Sequence, residues 1–128
     1  MATLADELGF PRERMRFILD KAFDLLEAGD LDGALVLFNG LLALDPTDAS
    51  IHAAFGSVLH EQGKFTDAET AYDTAIKLDG KAVLARVNRG ELRCKRGDLG
   101  GLEDLRLAAG IESAVQQRAQ VLLRRYAR

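Results

Sequence analysis

An all-α fold is what this sequence predicts: three helix-turn-helix units followed by a closing C-terminal helix. Three observations carry that expectation. The stretches GDLDGALVLF, GKFTDAETAY and GDLGGLEDLR begin at Gly29, Gly63 and Gly97, so the chain repeats at an interval of 34 residues, twice over. On either side of each glycine the apolar residues recur at helical spacing. No segment sustains the period-2 alternation of a strand.

The first element is short. TLADELGF, ahead of Pro11, reads as a brief helix that either caps the array or pairs with a second copy in a homodimer. Pro11 then opens the first long helix, because its fixed φ suits a first turn that has no use for its missing N–H. Phe17, Ile18, Lys21, Ala22 and Leu25 make one face of that helix, and Gly29 ends it in left-handed backbone. Leu31, Ala34, Leu35, Phe38, Leu41 and Leu42 form the stripe of the second helix. Asp45-Pro46-Thr47-Asp48 closes the unit: Pro46 does not continue a helix, and Thr47 or Asp48 caps the next one.

Unit two repeats the pattern with Ile51, Ala54, Phe55, Val58 and Leu59, then Phe65, Ala68, Ala71, Tyr72, Ala75 and Ile76. Shifted by 34, Leu31 lies over Phe65 and Leu99, Ala34 over Ala68 and Leu102, and Leu41 over Ala75 and Ala109. Ahead of each turn glycine stands a small residue, Ala22, Gly56 or Gly90, where bulk would hold two helix axes apart. The third unit fits least well, since Arg106 falls where Phe38 and Tyr72 stand. Last, ESAVQQRAQVLLRRYAR reads as the closing helix that a stacked array needs. Ala114, Val115, Ala119, Leu122, Leu123 and Tyr126 are expected against unit three, with Gln116, Gln117, Arg118 and Arg124 toward water. The expected organisation is one domain over 1–128: an N-terminal segment 1–14, repeats at 15–48, 49–82 and 83–112, and a capping helix 113–128.

Composition narrows the function classes. A chain of 128 residues is one domain by length. A net charge of −3 gives no overall basic surface for nucleic acid. The single cysteine, Cys94, excludes an internal disulfide framework and fits a reducing compartment. Asp6, Glu7 and Arg12 stand where a signal peptide needs an apolar run, and no stretch approaches 18 apolar residues, so neither export nor membrane insertion is expected. The expected location is the cytoplasm.

Catalysis and cofactors find no support in the residues. His52 and His60 lie eight apart, two turns along one helix, too far to share a metal. Cys94 has no neighbouring cysteine or histidine, and no glycine-rich loop follows a strand. The reading is a protein that is not an enzyme and takes no cofactor.

A helix-turn-helix unit of this length, with Gly56, Gly63, Ala68, Tyr72 and Ala75 in register, resembles the tetratricopeptide repeat family over roughly residues 15–112. The sequence departs from that family at His52, where tryptophan is favoured, and at Gly80, where proline is. The resemblance implies a right-handed superhelix of helix pairs whose concave groove binds peptides. Within the family the chain is most similar to the small acidic class II chaperones of bacterial type III secretion, through Ala22, Phe38, Leu44-Asp45, Asp48, Gly56 and Glu91. That narrower resemblance implies a hydrophobic translocator client held in the cytoplasm before export. The other class of function is a general adaptor or scaffold, or a needle-subunit co-chaperone, in another bacterial assembly.

The family's groove positions carry over to Leu19, Phe23 and Leu26 in unit one, Ala53, Ser57 and His60 in unit two, and Leu84, Val87 and Glu91 in unit three. The lysines and arginine with which one branch of the family grips a C-terminal carboxylate are missing, and only Asn88 keeps that type of chemistry. What the positions offer suits an extended segment with spaced aliphatic side chains. Arg86, Arg89, Arg93 and Arg96 add a basic stripe along one helix. It either meets an acidic partner segment or pairs internally with Glu103 and Asp104.

Overall fold

The computed structural model describes residues 2–127; Met1 and Arg128, on which the expected first and last segments begin and end, lie outside it. Among the described residues are eight helices and no strand. They are α1 (Leu4–Leu8), α2 (Arg12–Glu27), α3 (Leu31–Leu44), α4 (Ala49–Glu61), α5 (Phe65–Leu78), α6 (Val83–Lys95), α7 (Gly101–Ala109) and α8 (Gln116–Tyr126). The brief α1 is held by a reciprocal cap: the Asp6 N–H donates to the Thr3 hydroxyl and the Thr3 N–H to the Asp6 carboxylate.

The repeated glycines close α2, α4 and α6 in the same way. Gly29, Gly63 and Gly97 have φ of 81°, 79° and 87°, a region that costs glycine nothing. The residue after each donates its N–H to the carbonyl five residues back, Asp30 to Leu25, Lys64 to Leu59 and Asp98 to Arg93, each at 2.9 Å. The turns between units also repeat. Asp45 Oδ1 accepts from the Thr47 N–H and Asp79 Oδ1 from the Lys81 N–H, both at 2.9 Å. His52 Nε2 donates to the Pro46 carbonyl at 2.7 Å, and Arg86, 34 residues on, donates to the Gly80 carbonyl at 3.0 and 3.1 Å. His52 and Arg86 thus do one job: a polar side chain satisfies a turn carbonyl the helices leave open.

Helices pair as α2 with α3, α4 with α5, and α6 with α7, and the pairs stack in a right-handed superhelix closed by α8. The inner helices α2, α4, α6 and α8 touch in succession, whereas α3, α5 and α7 do not touch one another. Curvature therefore places α2, α4, α6 and α8 on the concave side. The buried core runs along the array in three clusters, built around Phe38, Leu41 and Ile51, around Tyr72 with its ring of alanines, and around Val87, Leu105 and Leu122.

The third unit departs from the expected register. In α5 the buried residues are Ala68, Ala71, Tyr72 and Ala75; in α7 they are Gly101, Asp104, Leu105 and Ala108. Each pair is 33 residues apart, one fewer than the turn glycines. Leu105 therefore fills the place of Tyr72, and Arg106 turns outward. Gly101 and Ala108, not Leu102 and Ala109, match Ala68 and Ala75. Leu99 lies ahead of α7, 64% exposed, in a tight turn where Asp98 Oδ1 accepts the Gly100 N–H. The reason is steric. Gly101 meets Gly90 so closely that a Cβ on Gly101 would stand 2.5 Å from the Gly90 carbonyl oxygen. Gly56 in the pair before it is pressed by the Tyr72 ring in the same way, with 2.5 Å to a hypothetical Cβ.

Candidate functional site

The concave side begins apolar. Leu19, Phe23 and Leu26 of α2 are half-buried over the first core cluster, and Phe23 meets the buried Phe38 edge to face, 5.6 Å between ring centres. Leu19 also borders a broader hollow walled by α1, where Phe10 and Met15 add apolar surface and Asp6, Arg12 and Arg16 a charged rim. Leu84 of α6 is half-buried against the second cluster.

Two of the expected groove residues are not on the surface. Ala53 is 1% and Val87 0% exposed. The superhelix curls α4 and α6 together over Ala53, and α7 and α8 cover Val87, so both are core. Neither offers anything to a partner.

Ser57, His60, Leu84 and Glu91 are brought together. With Glu61, Tyr72, Asn88 and Arg118 they line a cleft of about 250 Å³. Two sets of polar contacts run through it. The His60 Nδ1 and the Tyr72 hydroxyl are hydrogen-bonded at 3.3 Å. Asn88 Nδ2 donates to Ser57 Oγ at 3.0 Å, and Asn88 Oδ1 accepts from Arg118 at 2.8 Å. Arg118 also donates to Glu91 Oε1 at 3.0 Å. Burial pushes the Tyr72 hydroxyl up to about 12 and holds the His60 imidazole below its usual value, although Glu91 and Glu61 pull the latter back.

Arg118, expected in water, keeps a side chain 42% exposed and also reaches back from α8 to α6, beside the buried Ala119 and Leu122. Gln116, also expected in water, donates to the Ala109 carbonyl and ties down the end of α7. Tyr72 and Arg118 were absent from the sequence-derived site. Tyr72 reads as core by its spacing, and nothing local marks Arg118.

The arginine stripe is spent inside the chain. Asp104, buried in α7, accepts from Arg86 at 2.8 Å and from two nitrogens of Arg89 at 2.8 Å. Arg89 also reaches Asp73 at 2.9 Å and Arg93 reaches Glu69 at 3.1 Å, both acids on α5. Arg96 pairs with Glu69 and Asp98. Four arginines meet four carboxylates, so the geometry makes a charge-balanced seam joining α5, α6 and α7 in place of a free basic patch. Glu103 takes no part among the described ion pairs; Asp104 does. Burial raises the carboxyl of Asp104, but Arg89 and Arg86 outweigh it and hold it below the usual range. Among the described residues no cluster of three or more His, Cys, Asp and Glu side chains is placed to hold a metal. No described helix is long and apolar enough to cross a membrane.

Comparison with known proteins bears on this geometry. A tetratricopeptide repeat model matches residues 25–89, half of the chain. No curated protein matches the sequence. Among solved structures, the type III secretion translocator chaperone SycD of Yersinia enterocolitica superposes with a TM-score of 0.85 at 19% identity, covering 98% of both chains. A type III secretion complex from Aeromonas hydrophila gives 0.84 at 21%, over 98% of this chain and 89% of that one. PcrH, in complex with the chaperone binding region of PopD, gives 0.78 at 22%, over 93% and 95%.

Proposed function

The chain belongs to the tetratricopeptide repeat family, and from that premise we propose that it is a chaperone that holds an extended apolar segment of a type III secretion translocator in its concave groove, in the cytoplasm. The observation that carries this reading is the uneven floor of that groove. Leu19, Phe23 and Leu26 stand half-exposed at one end, and beyond them lies a polar cleft with Leu84 on its wall. Apolar side chains left part-open along a concave face suit a partner that arrives extended and fills them one by one. The likeness to SycD supports the same reading, since it runs from end to end of both chains. Leu4, Leu8 and Phe17 stand exposed on α1 and α2, where a second copy of the chain would cover them in a homodimer.

The test is an array of short overlapping segments from translocator proteins, probed with the parent protein, Phe23→Ala and Leu84→Asp. The parent is expected to bind a few apolar segments. Both variants are expected to lose them while keeping the helical circular dichroism spectrum. Binding unchanged in both variants overturns the groove as the site.

A further inference from the structure

Resting on that groove reading, we propose that the cleft between α4, α6 and α8 takes the basic side chain of one residue in the bound segment, its cationic head between Glu61 and Glu91. The cleft is about 250 Å³, room for one side-chain end and too small for a folded element. Its walls are graded along the helices. Leu84, Asn88 and Glu91 follow one another at i, i+4 and i+7 on α6, and Ser57, His60 and Glu61 at i, i+3 and i+4 on α4. The α6 wall therefore has a half-buried leucine at one end and a carboxylate at the other. A lysine or arginine side chain has the matching form, an apolar stem that ends in a charge.

The sign of the guest's charge follows from the pairing inside the cleft. Two carboxylates, Glu61 and Glu91, line it against one guanidinium. Arg118 is already answered, since it donates to Glu91 Oε1 at 3.0 Å and to Asn88 Oδ1 at 2.8 Å. Among the described residues Glu91 Oε2 accepts no hydrogen bond, and Glu61 makes neither a hydrogen bond nor an ion pair. Lys95 stands outside the lining, exposed at the end of α6. One carboxylate is thus left over, and it is Glu61. Its place in the helix points the same way. Glu61 is the last residue of α4, at the negative end of the helix dipole, where a cation is favoured and an acid is not. An unpaired acid there weakens α4 in the free chain and gains from a cationic guest. Tyr72 and Asn88, behind the two carboxylates, are buried and uncharged. An acidic guest would add a second unanswered negative charge beside Glu61. An apolar guest would strip water from Glu61 and return nothing. The consequence is a division of labour: Leu19 and Phe23 select aliphatic side chains, and the cleft selects a lysine or arginine farther along the segment.

The experiment takes the segment bound most tightly in the array and places lysine, norleucine and glutamate at each position in turn. Norleucine keeps the stem of lysine and removes the ammonium group. Affinities are measured by calorimetry with the parent, Glu61→Gln and Glu61→Lys. At one position the parent is expected to prefer lysine over norleucine by about fivefold, the upper range for a part-exposed ion pair, and to bind glutamate least well. At that position Glu61→Gln is expected to bring lysine and norleucine within about twofold, and Glu61→Lys to favour glutamate. No lysine preference at any position overturns the inference, as does a lysine preference that neither Glu61 substitution alters. Loss of binding in Phe23→Ala alongside either of those results leaves the groove reading standing. A parent that binds no segment, or a Phe23→Ala variant that binds as the parent does, sinks the groove reading and this inference with it.

Discussion

One methyl group is enough to test the slipped register of the third unit. Gly101→Ala puts a Cβ against the Gly90 carbonyl oxygen, which is main chain and cannot swing aside. The variant is expected to lose about 1–3 kcal/mol in urea denaturation, as for overpacking. Gly40→Ala is the control. Gly40 sits in α3 with nothing within 4 Å of a new Cβ, so the same change is expected to add about 0.5–1 kcal/mol through backbone entropy. Equal effects at the two sites would mean that α6 and α7 do not approach as described. The small residues at Gly56 and Gly90 are legible in sequence because a repeat exposes them by comparison. Gly101 is hidden, because a one-residue deletion after Gly97 moves it out of the 34-residue alignment. The same deletion makes Asp104 look like a surface acid when it stands in the place of the buried Ala71.

Between elements, the seam of arginines and carboxylates holds α6 to α5 and α7. Asp104→Asn leaves Arg86 and Arg89 facing a neutral group at a buried position. It is expected to cost about 3 kcal/mol, the lower end for breaking a buried pair, because Gly80 and Asp73 still receive those arginines. A double-mutant cycle with Arg89→Gln should return a coupling of about 1–3 kcal/mol, since the two side chains share hydrogen bonds. Additive losses would show that the pair is not coupled. Acid probes the same contact. The folded-state pKa of Asp104 is depressed, so its contribution is present above the unfolded value and lost as pH falls through the folded one. Parent and Asp104→Asn should therefore converge in stability on acidification through that range, read by urea denaturation at stepped pH. A constant gap would reject the assignment. The helical row of arginines was plain in the sequence. Their partners were not, because Glu69 and Asp73 lie on the preceding helix and only packing decides which neighbour a guanidinium meets.

The molecule as a whole is a stack in which each helix touches mainly those next to it. In such an array, damage stays local. Leu122→Ala in α8 is expected to cost about 2–4 kcal/mol, since Leu122 is only 4% exposed in the third cluster. In hydrogen–deuterium exchange the loss should appear as faster exchange in α6, α7 and α8, with α2 and α3 little changed. Acceleration spread evenly from α2 to α8 would show a single cooperative unit instead. Fold class, helix count per unit, turn positions and closing helix all follow from the sequence alone, because glycine geometry, proline and apolar spacing act within a few residues and a repeat states them three times. The three-dimensional arrangement decided what depends on curvature and on neighbours distant in the chain. It covered Ala53 and Val87, which the family resemblance had placed in the groove. It brought Arg118, still part-exposed, to the polar cleft beside Asn88 and Glu91. It consumed the arginine stripe, since whether a charge is free depends on what another helix brings to it, and no local spacing records that.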